Sequence, residues 1–307
     1  THVSQTTNHL FDEKTSAFVD YWFHPDAQQE LNALLHAIHH AVCANSELQK
    51  LLLLTFSAII ITKSGGVSMA LDLAHTRPHR KLDKPYRSPF IEFEKRLKKI
   101  ASSLNELPNG KYAPHIAQAD AQRLPLADET VDLIVTSPPY PVTAIDYMRA
   151  HKFSLVWLGY QIESLSNLRA AYVGSESTKN YLFETLPTGT NHLLARIEQV
   201  DKKKSLAVRR YYSEMKRILG EMYRVLKPGK SAVLVVGSSV IRGIDTEVHT
   251  CLAEIGETLG LEVPHIGVRN LDRDRRMLPV FRAGNRDTQI EKRMHTEQVI
   301  GFWKPVS

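Results

Sequence analysis

The sequence has 307 residues, 43% of them hydrophobic, which is enough to bury one large core and leave room for a smaller lobe. Lysine and arginine (39) outnumber aspartate and glutamate (33), a balance that suits a polyanionic partner without requiring one. The two cysteines, Cys43 and Cys251, lack the spacing of a zinc site or a disulfide framework, so we expect no bound metal.

The longest apolar run, LLLLTFSAIIIT at 51–62, is too short to span a bilayer, and no secretory signal precedes it. We therefore expect a cytoplasmic protein with no membrane span. The first residue is Thr rather than Met, so we interpret the chain as processed, truncated or one piece of something larger.

Residues 1–108 are predicted to form a helical lobe. Apolar residues recur at three- and four-residue spacing in AQQELNALLHAIHHAV, ELQKLLLLTFSAIII and FIEFEKRLKKIASSLNEL. Between the second and third of these segments, 64–87 is basic and punctuated by proline, which indicates a loop.

Residues 109–307 have a different period. Short β-rich runs (HIAQAD, VDLIVTS, SAVLVVGSS, LEVPHIGV and EQVIGFW) alternate with helical segments such as VRRYYSEMKRILGEMYRVLK and EVHTCLAEIGETLG. This alternation predicts an α/β class with a mostly parallel, doubly wound sheet. The polar stretch 161–205 looks like an irregular excursion from the sheet and is our candidate for target recognition.

The most informative segment is a buried strand that continues directly into Ser137-Pro138-Pro139-Tyr140. Two prolines remove two backbone donors, so the carbonyl groups at the strand end stay available as acceptors. Open α/β sheets bind ligands at this end of their parallel strands. Ser137 Oγ and the Pro138 carbonyl are candidate acceptors for an exocyclic amino group. Tyr140 is a candidate stacking surface for a base flipped out of a duplex, which is worth about 1–3 kcal/mol.

Ser137–Tyr140 resembles the Ser/Asp/Asn-Pro-Pro-Tyr/Phe motif of the DNA amino-methyltransferases. Its Thr-Ser-Pro-Pro-Tyr form is more similar to the N4-cytosine branch than to the N6-adenine branch. The resemblance covers most of residues 112–305, in the segments AQADAQRLPLADETVDLIVTSPPY, AIDYMRAHKFSLVWLG, EMYRVLKPGKSAVLVVGSS, RNLDRDRRMLP and EQVIGFWKP. It implies a Rossmann-like class I methyltransferase sheet with a helical insertion lobe, S-adenosylmethionine as cofactor and double-stranded DNA as substrate.

The resemblance also implies roles for individual residues. Ser137, Pro138, Pro139 and Tyr140 become the catalytic set. Asp120 takes the position of the acidic residue that meets the adenine of the cofactor, although capping of the next turn is an alternative. Three further residues are cofactor candidates: Ala121, Thr136 and Ser238. For DNA phosphates, three arginines are preferred over the run Lys202–Lys204: Arg273, Arg275 and Arg276.

Two elements of the family pattern are absent from this sequence. Members carry a glycine-rich loop of the type Asp-Pro-Phe-x-Gly-x-Gly-Thr after their first strand, and an acidic residue after the second. Gly65-Gly66 has no preceding strand, and Val236-Gly237-Ser238-Ser239 lacks the glycine spacing. The sheet expected from this chain is therefore incomplete. We predict a split, heterodimeric enzyme in which a second polypeptide supplies the first two strands and the loop; a truncated chain or an inactive relic is the alternative.

The sequence thus favours a methyltransferase acting on cytosine N4 in duplex DNA, for restriction-modification or genome marking. Adenine N6 is the second candidate for the modified group. A catalytically silent DNA-binding subunit is a hypothesis of another class, and the intact Ser137–Tyr140 motif argues against it.

Overall fold

The computed structural model describes residues 11–41, 44, 46–62, 66–71, 78–106, 110, 112, 114–141, 147–237, 239–271 and 296–306. They fall into two compact units. The first contains the described residues within Thr1–Pro114 and Asp146–Arg169, and the second those within His115–Ile145 and Ala170–Ser307.

The described elements begin with three helices and continue as a mixture of helices and strands. In chain order they are α1 (Glu13–Trp22), α2 (Pro25–Ala41), α3 (Glu47–Ile60), β1 (Ala70–Leu71), β2 (His79–Arg80), α4 (Pro89–Asn105), β3 (Val131–Thr136), α5 (Tyr147–Leu155), α6 (Ile162–Ala171), α7 (Thr188–Val200), α8 (Lys202–Val225), β4 (Leu226–Gly237), β5 (Val240–Ile241), β6 (Ile244–Asp245), α9 (Val248–Thr258), β7 (Glu262–Asn270) and β8 (Thr296–Lys304). None of the described helices is long and apolar enough to cross a membrane.

The first unit is helical, as its apolar periodicity predicts. Asp12, Ser46 and Ser88 each accept a hydrogen bond from a first-turn backbone N–H and so cap α1, α3 and α4. The core of the unit includes Phe153 and Trp157, which follow the Ser137–Tyr140 segment in sequence. The helical unit therefore takes in α5 and most of α6 as well as the residues before position 108.

The second unit is built around a four-stranded sheet in the order β3-β4-β8-β7. β3 runs parallel to β4, whereas β8 runs antiparallel to both β4 and β7. The α/β class is thus confirmed, but the sheet is mixed rather than mostly parallel. β7 returns parallel to β4 through α9, and β8 is inserted between these two strands; an antiparallel neighbour needs no helical crossover.

Two local expectations were wrong. The run HIAQAD is not a strand, and 115–119 are exposed residues outside regular structure. A strand needs a neighbour for its backbone groups, and the described residues provide none there. The stretch 161–205 is not an irregular excursion either, because it contains α6, α7 and the first turn of α8.

Within the part of the chain that the structure describes, helices cover one face of the sheet. Ala232, Leu234 and Val236 of β4 are fully buried in the core that includes residues of α8 and α9. Side chains alternate along a strand, so Leu133 and Val135 of β3 point to the opposite face, where they are 57% and 66% exposed. Among the described strands, only β4 pairs with β3, so the other edge of β3 is open.

Candidate active site at the carboxyl end of the sheet

The Ser137–Tyr140 segment leaves the sheet at the carboxyl end of β3. Thr136, the last residue of that strand, pairs with Leu234 of β4, so the segment begins beside the final residues of β4. Ser137 is exposed, Pro138 is buried, and Pro139 and Tyr140 are half-buried. The hydroxyl group of Ser137 is therefore accessible from solvent while the proline behind it is packed.

Tyr140 lies against the end of β4. A Cβ atom added to Gly237 would stand 2.9 Å from Cε2 of Tyr140 and 3.0 Å from its Cζ, so the ring rests directly on the glycine backbone. The hydroxyl group of Tyr140 lies 3.5 Å from Oε1 of Glu297 in β8. Glu297 in turn pairs with Arg269 of β7, at 3.6 Å between Oε2 and Nη1. Tyr140, Gly237, Glu297 and Arg269 thus form a row across the carboxyl end of the sheet.

The chain on either side of Tyr140 is held by further backbone contacts. Ser239 Oγ donates to the carbonyl oxygen of Pro141 at 3.3 Å, which joins the segments after β3 and β4. The Ser239 carbonyl oxygen accepts from the N–H and the hydroxyl group of Thr246 at 2.8 and 2.9 Å. Gly174 approaches from the loop before α7, and a Cβ atom there would lie 3.5 Å from the Tyr140 carbonyl oxygen.

The Gly174 loop is fastened to α8 by a buried ion pair. Nε of Arg210 lies 2.8 Å from Oε1 of Glu214, and Oε2 of Glu214 accepts from Gly174 N at 2.7 Å. Arg210 also donates to the carbonyl oxygens of Ala170 and Ser177. The position of the loop beside Tyr140 therefore depends on two charged side chains of α8.

Asp120, the candidate for contact with the cofactor's adenine, is exposed. Its Oδ1 accepts from the backbone N–H of Gln122 at 2.9 Å, so the carboxylate caps the turn that follows, as the alternative interpretation held. Ala121 within this turn is also exposed. Turn capping occupies one of the two carboxylate oxygens and leaves a cofactor role as a proposal.

The segment after Asp120 runs along α8 toward the start of β3. Gln122 contacts Arg217 at 3.4 Å, Leu124 N donates to Glu221 at 2.7 Å, and Arg224 donates to the Leu126 carbonyl oxygen at 2.8 Å. Because α8 ends where β4 begins, a segment that follows α8 in this order approaches the amino end of the sheet. Asp120 precedes the segment and therefore lies nearer the carboxyl end of the sheet than Leu126 does.

Several sequence candidates are not part of this described assembly. Ser238, Arg273, Arg275 and Arg276 lie outside the described residues. In the run Lys202–Lys204, Lys204 pairs with Glu176 at 2.6 Å, which is a structural role. No group of three or more potential metal ligands occurs among the described residues.

The sequence analysis missed the other members of the row that contacts Tyr140. Glu297 and Arg269 lie on strands that were identified by hydrophobicity, and nothing in their local pattern distinguishes them from surface charges. Gly237 was noted only because it does not fit a glycine-rich loop. Pairing of β4 with β8 brings Gly237 opposite Glu297, and pairing of β8 with β7 brings Glu297 opposite Arg269.

Comparison with known proteins gives two curated relatives. Type II methyltransferase M.MvaI of Kocuria varians is 24% identical in an alignment of 261 residues that covers 77% of this chain and 56% of that protein. Type II methyltransferase M.BsoBI of Geobacillus stearothermophilus is 28% identical in an alignment of 187 residues that covers 51% of this chain and 36% of that protein. The chain is similar to type II methyltransferases.

These methyltransferases are longer than the matched region, and the chain spans about half the length (56%) of the first and 36% of the second. No protein-family model matches the chain. Among solved structures, TTHA0409 of Thermus thermophilus, described as a DNA modification methylase in complex with S-adenosyl-L-methionine, aligns with a TM-score of 0.31 and 17% identity. That alignment covers 61% of this chain and 52% of the other.

Proposed function

We propose that this chain is the base-binding part of an S-adenosylmethionine-dependent DNA methyltransferase that modifies an exocyclic amino group. Cytosine N4 is our first candidate for that group. The observation that carries this proposal is the Ser137–Tyr140 segment at the carboxyl end of β3, with an accessible hydroxyl group and a ring fixed beside it. Similarity to type II methyltransferases supports it independently.

The proposed roles of these residues follow from the weak nucleophilicity of an aromatic amino group. The lone pair of the amino group is delocalised into the base, so the nitrogen is a weak nucleophile until its N–H hydrogens are drawn out of the ring plane. Ser137 Oγ and the Pro138 carbonyl oxygen accept those two hydrogens, while Tyr140 stacks on the flipped base. S-adenosylmethionine, when bound, would supply an electrophilic methyl group and leave as the thioether, and the amino nitrogen would lose its proton to water.

Cytosine N4 is preferred over adenine N6 because of the Thr-Ser-Pro-Pro-Tyr form of the motif. Both bases present an amino group to the same two acceptors, so adenine N6 stays the alternative. The nucleoside that is modified decides between them.

The residues of this chain account for part of a cofactor site. We assign Asp120 to the adenine of S-adenosylmethionine and propose Ala121, Thr136 and Ser238 as further residues of the cofactor site. Asp120 fits this role because it is exposed and one carboxylate oxygen is not used by the turn. A glycine-rich loop for the methionine part does not occur in this sequence.

We further propose that a second polypeptide completes the sheet. No second described strand pairs with the outer edge of β3, and Leu133 and Val135 expose apolar surface beside it. Two strands added parallel to β3 and joined by a helix on the open face would cover both features; connections of this kind are right-handed. Burial of each apolar side chain contributes roughly 1.5–3 kcal/mol. The glycine-rich loop would then join the first of these strands to its helix.

The experiment is to co-purify the chain with its natural companion and incubate the complex with unmethylated duplex DNA and S-adenosylmethionine. Modified nucleosides are quantified by mass spectrometry, with the isolated chain run in parallel. We expect N4-methylcytosine from the complex and none from the chain alone. N6-methyladenine would retain the mechanism and change the base.

Variants locate the reaction. Ser137→Ala in the complex should abolish methylation and leave duplex binding intact, whereas Ser102→Ala, an exposed serine of α4, should change neither. Full activity in Ser137→Ala contradicts the site. DNA binding by the wild-type complex without any modified nucleoside favours the catalytically silent DNA-binding subunit. Under either function, Arg273, Arg275 and Arg276 are our proposed phosphate contacts.

A further inference from the structure

We infer that Glu297 is a positioning residue for Tyr140, and that Gly237 is the floor on which the Tyr140 ring is held for stacking. This inference rests on the proposed function and assigns two residues that no motif identifies. Its basis is the row of contacts across β4, β8 and β7 at the carboxyl end of the sheet.

The register of the sheet places the two supports side by side. Gly237 of β4 lies directly opposite Glu297 of β8, at the last described pair of that ladder. The Tyr140 ring covers Gly237 with its Cε2–Cζ edge, and its hydroxyl group points toward Glu297. The backbone of Gly237 thus restricts movement of the ring on one side, and the Glu297 carboxylate restricts movement of its hydroxyl group.

Arg269 restrains Glu297 in turn. It occupies the position opposite Glu297 on β7, and its guanidinium lies on the other carboxylate oxygen, Oε2. Only 20% of the Glu297 side chain is exposed, against 50% of Arg269. The charge of Arg269 attracts one oxygen of Glu297 and leaves Oε1 directed at Tyr140.

A fixed ring matters for base capture because stacking must offset the cost of unstacking a base from the duplex. A tyrosine that is already held in its stacking position loses less conformational entropy when the base arrives. The Tyr140–Glu297 separation of 3.5 Å is long for a hydrogen bond between two oxygens. Contacts of this kind in a ligand-free site shorten when substrate binds.

The test uses the methylating complex with four variants: Tyr140→Phe, Glu297→Gln, the double variant and Glu262→Gln. Glu262 lies at the far end of β7, opposite Trp303, and is the matched control. A hydrogen bond to a charged group predicts a fall of about tenfold in kcat/KM for each single variant, expressed mainly in KM. Tyr140→Phe removes the donor and Glu297→Gln removes the charge of the acceptor, so the double variant should be no worse than Tyr140→Phe alone. Additive losses contradict the inference.

Gly237→Ala tests the contact between Gly237 and the Tyr140 ring. The added methyl group displaces the ring whatever the state of its hydroxyl group, so we expect a larger loss than in Tyr140→Phe. Thermal unfolding of every variant separates misfolding from mispositioning, since a positioning role leaves the unfolding temperature near that of the wild type. Wild-type activity in Gly237→Ala overturns this part.

A readout without catalysis keeps the inference separate from the proposed function. In the complex labelled with ¹³C at tyrosine Cζ, the Tyr140 resonance is identified by its loss in Tyr140→Phe. It should shift in Glu297→Gln and stay in place in Glu262→Gln. An unmoved resonance in Glu297→Gln contradicts the contact even if the complex methylates DNA. A shift in a complex that modifies no nucleoside retains the contact and removes the function.

Discussion

Arg210 and Glu214 form an ion pair one turn apart on α8, with Nε and Oε1 2.8 Å apart and only 8% and 2% of their side chains exposed. The pair does more than join two positions of one helix. Through Gly174 N and the carbonyl oxygens of Ala170 and Ser177 it fixes the loop that approaches the Tyr140 backbone. The position of the candidate catalytic segment is thereby coupled to a charge pair that water does not reach.

Glu214→Gln should destabilise the protein strongly. The substitution leaves the Arg210 guanidinium buried without its counter-charge, and breaking a buried pair in this way costs about 3–5 kcal/mol. The measurement is the free energy of unfolding from urea titration. Glu47→Gln, which breaks the exposed pair with Lys50, is the control and should cost less than about 1 kcal/mol. Equal effects of the two substitutions would show that burial of the Arg210–Glu214 pair contributes nothing.

Glu221 should make the stability of the protein depend on pH in the acid range. Hydrogen bonds from the Arg224 side chain and from Leu124 N lower the pKa of Glu221 from its ordinary value near 4.5 to about 2. A carboxyl group with a depressed folded-state pKa stabilises the fold above its unfolded pKa. That contribution is lost as the pH falls from about 4.5 toward 2.

Urea unfolding of the wild type and of Glu221→Gln at pH 7 and near pH 2.5 tests this linkage. The variant should be the less stable at pH 7, and the difference between the two proteins should shrink at the lower pH. Glu198→Gln, an exposed substitution on α7, is the control for loss of a surface carboxylate and should change the free energy of unfolding at pH 7 by less than about 0.5 kcal/mol. A gap that stays constant for Glu221→Gln would refute the linkage.

The open face of β3 should contribute to association with the proposed second polypeptide and contribute little to the stability of the isolated chain. Leu133→Ser combined with Val135→Ser removes exposed apolar surface, so the isolated chain should keep its free energy of unfolding within about 0.5 kcal/mol. The same double substitution should abolish co-purification with the companion polypeptide. Val268→Ser, on the strand at the far edge of the sheet, is also exposed and should leave the complex intact. Recovery of a normal complex from the double variant would contradict the proposed interface.

Local periodicity predicted much of the fold, because α3, α4, α8, α9 and the sheet strands each carry their own hydrophobic pattern. It also indicated that Ser137–Tyr140 follows a strand, since two prolines cannot continue one. Sequence could not reveal the row at Tyr140, because Glu297 is 157 residues away and becomes its neighbour only through strand pairing. For the same reason the packing of Phe153 and Trp157 into the helical unit was not predicted.

Gly66 illustrates how the structure explains a glycine that the sequence left without a role. Its φ of +52° lies in the left-handed region, and an added Cβ atom would stand 2.0 Å from the Ile59 carbonyl oxygen at the end of α3. Its N–H donates to Thr62 Oγ1 at 2.6 Å, and its carbonyl oxygen accepts from Lys84 Nζ at 3.1 Å. Gly66 therefore packs its backbone against the last turn of α3, where no side chain fits.

Gly66→Ala should consequently destabilise the first unit by more than the free-energy cost of a left-handed backbone conformation. A left-handed conformation costs an L residue roughly 1–2 kcal/mol, and the collision with Ile59 adds to that value because backbone cannot yield as a side chain can. Gly159→Ala is the matched control: its φ is +95°, yet no atom lies within 4 Å of the added Cβ. Urea unfolding should place Gly66→Ala well below Gly159→Ala in stability. If the two variants unfold at the same urea concentration, the close approach of Gly66 to α3 does not constrain this position.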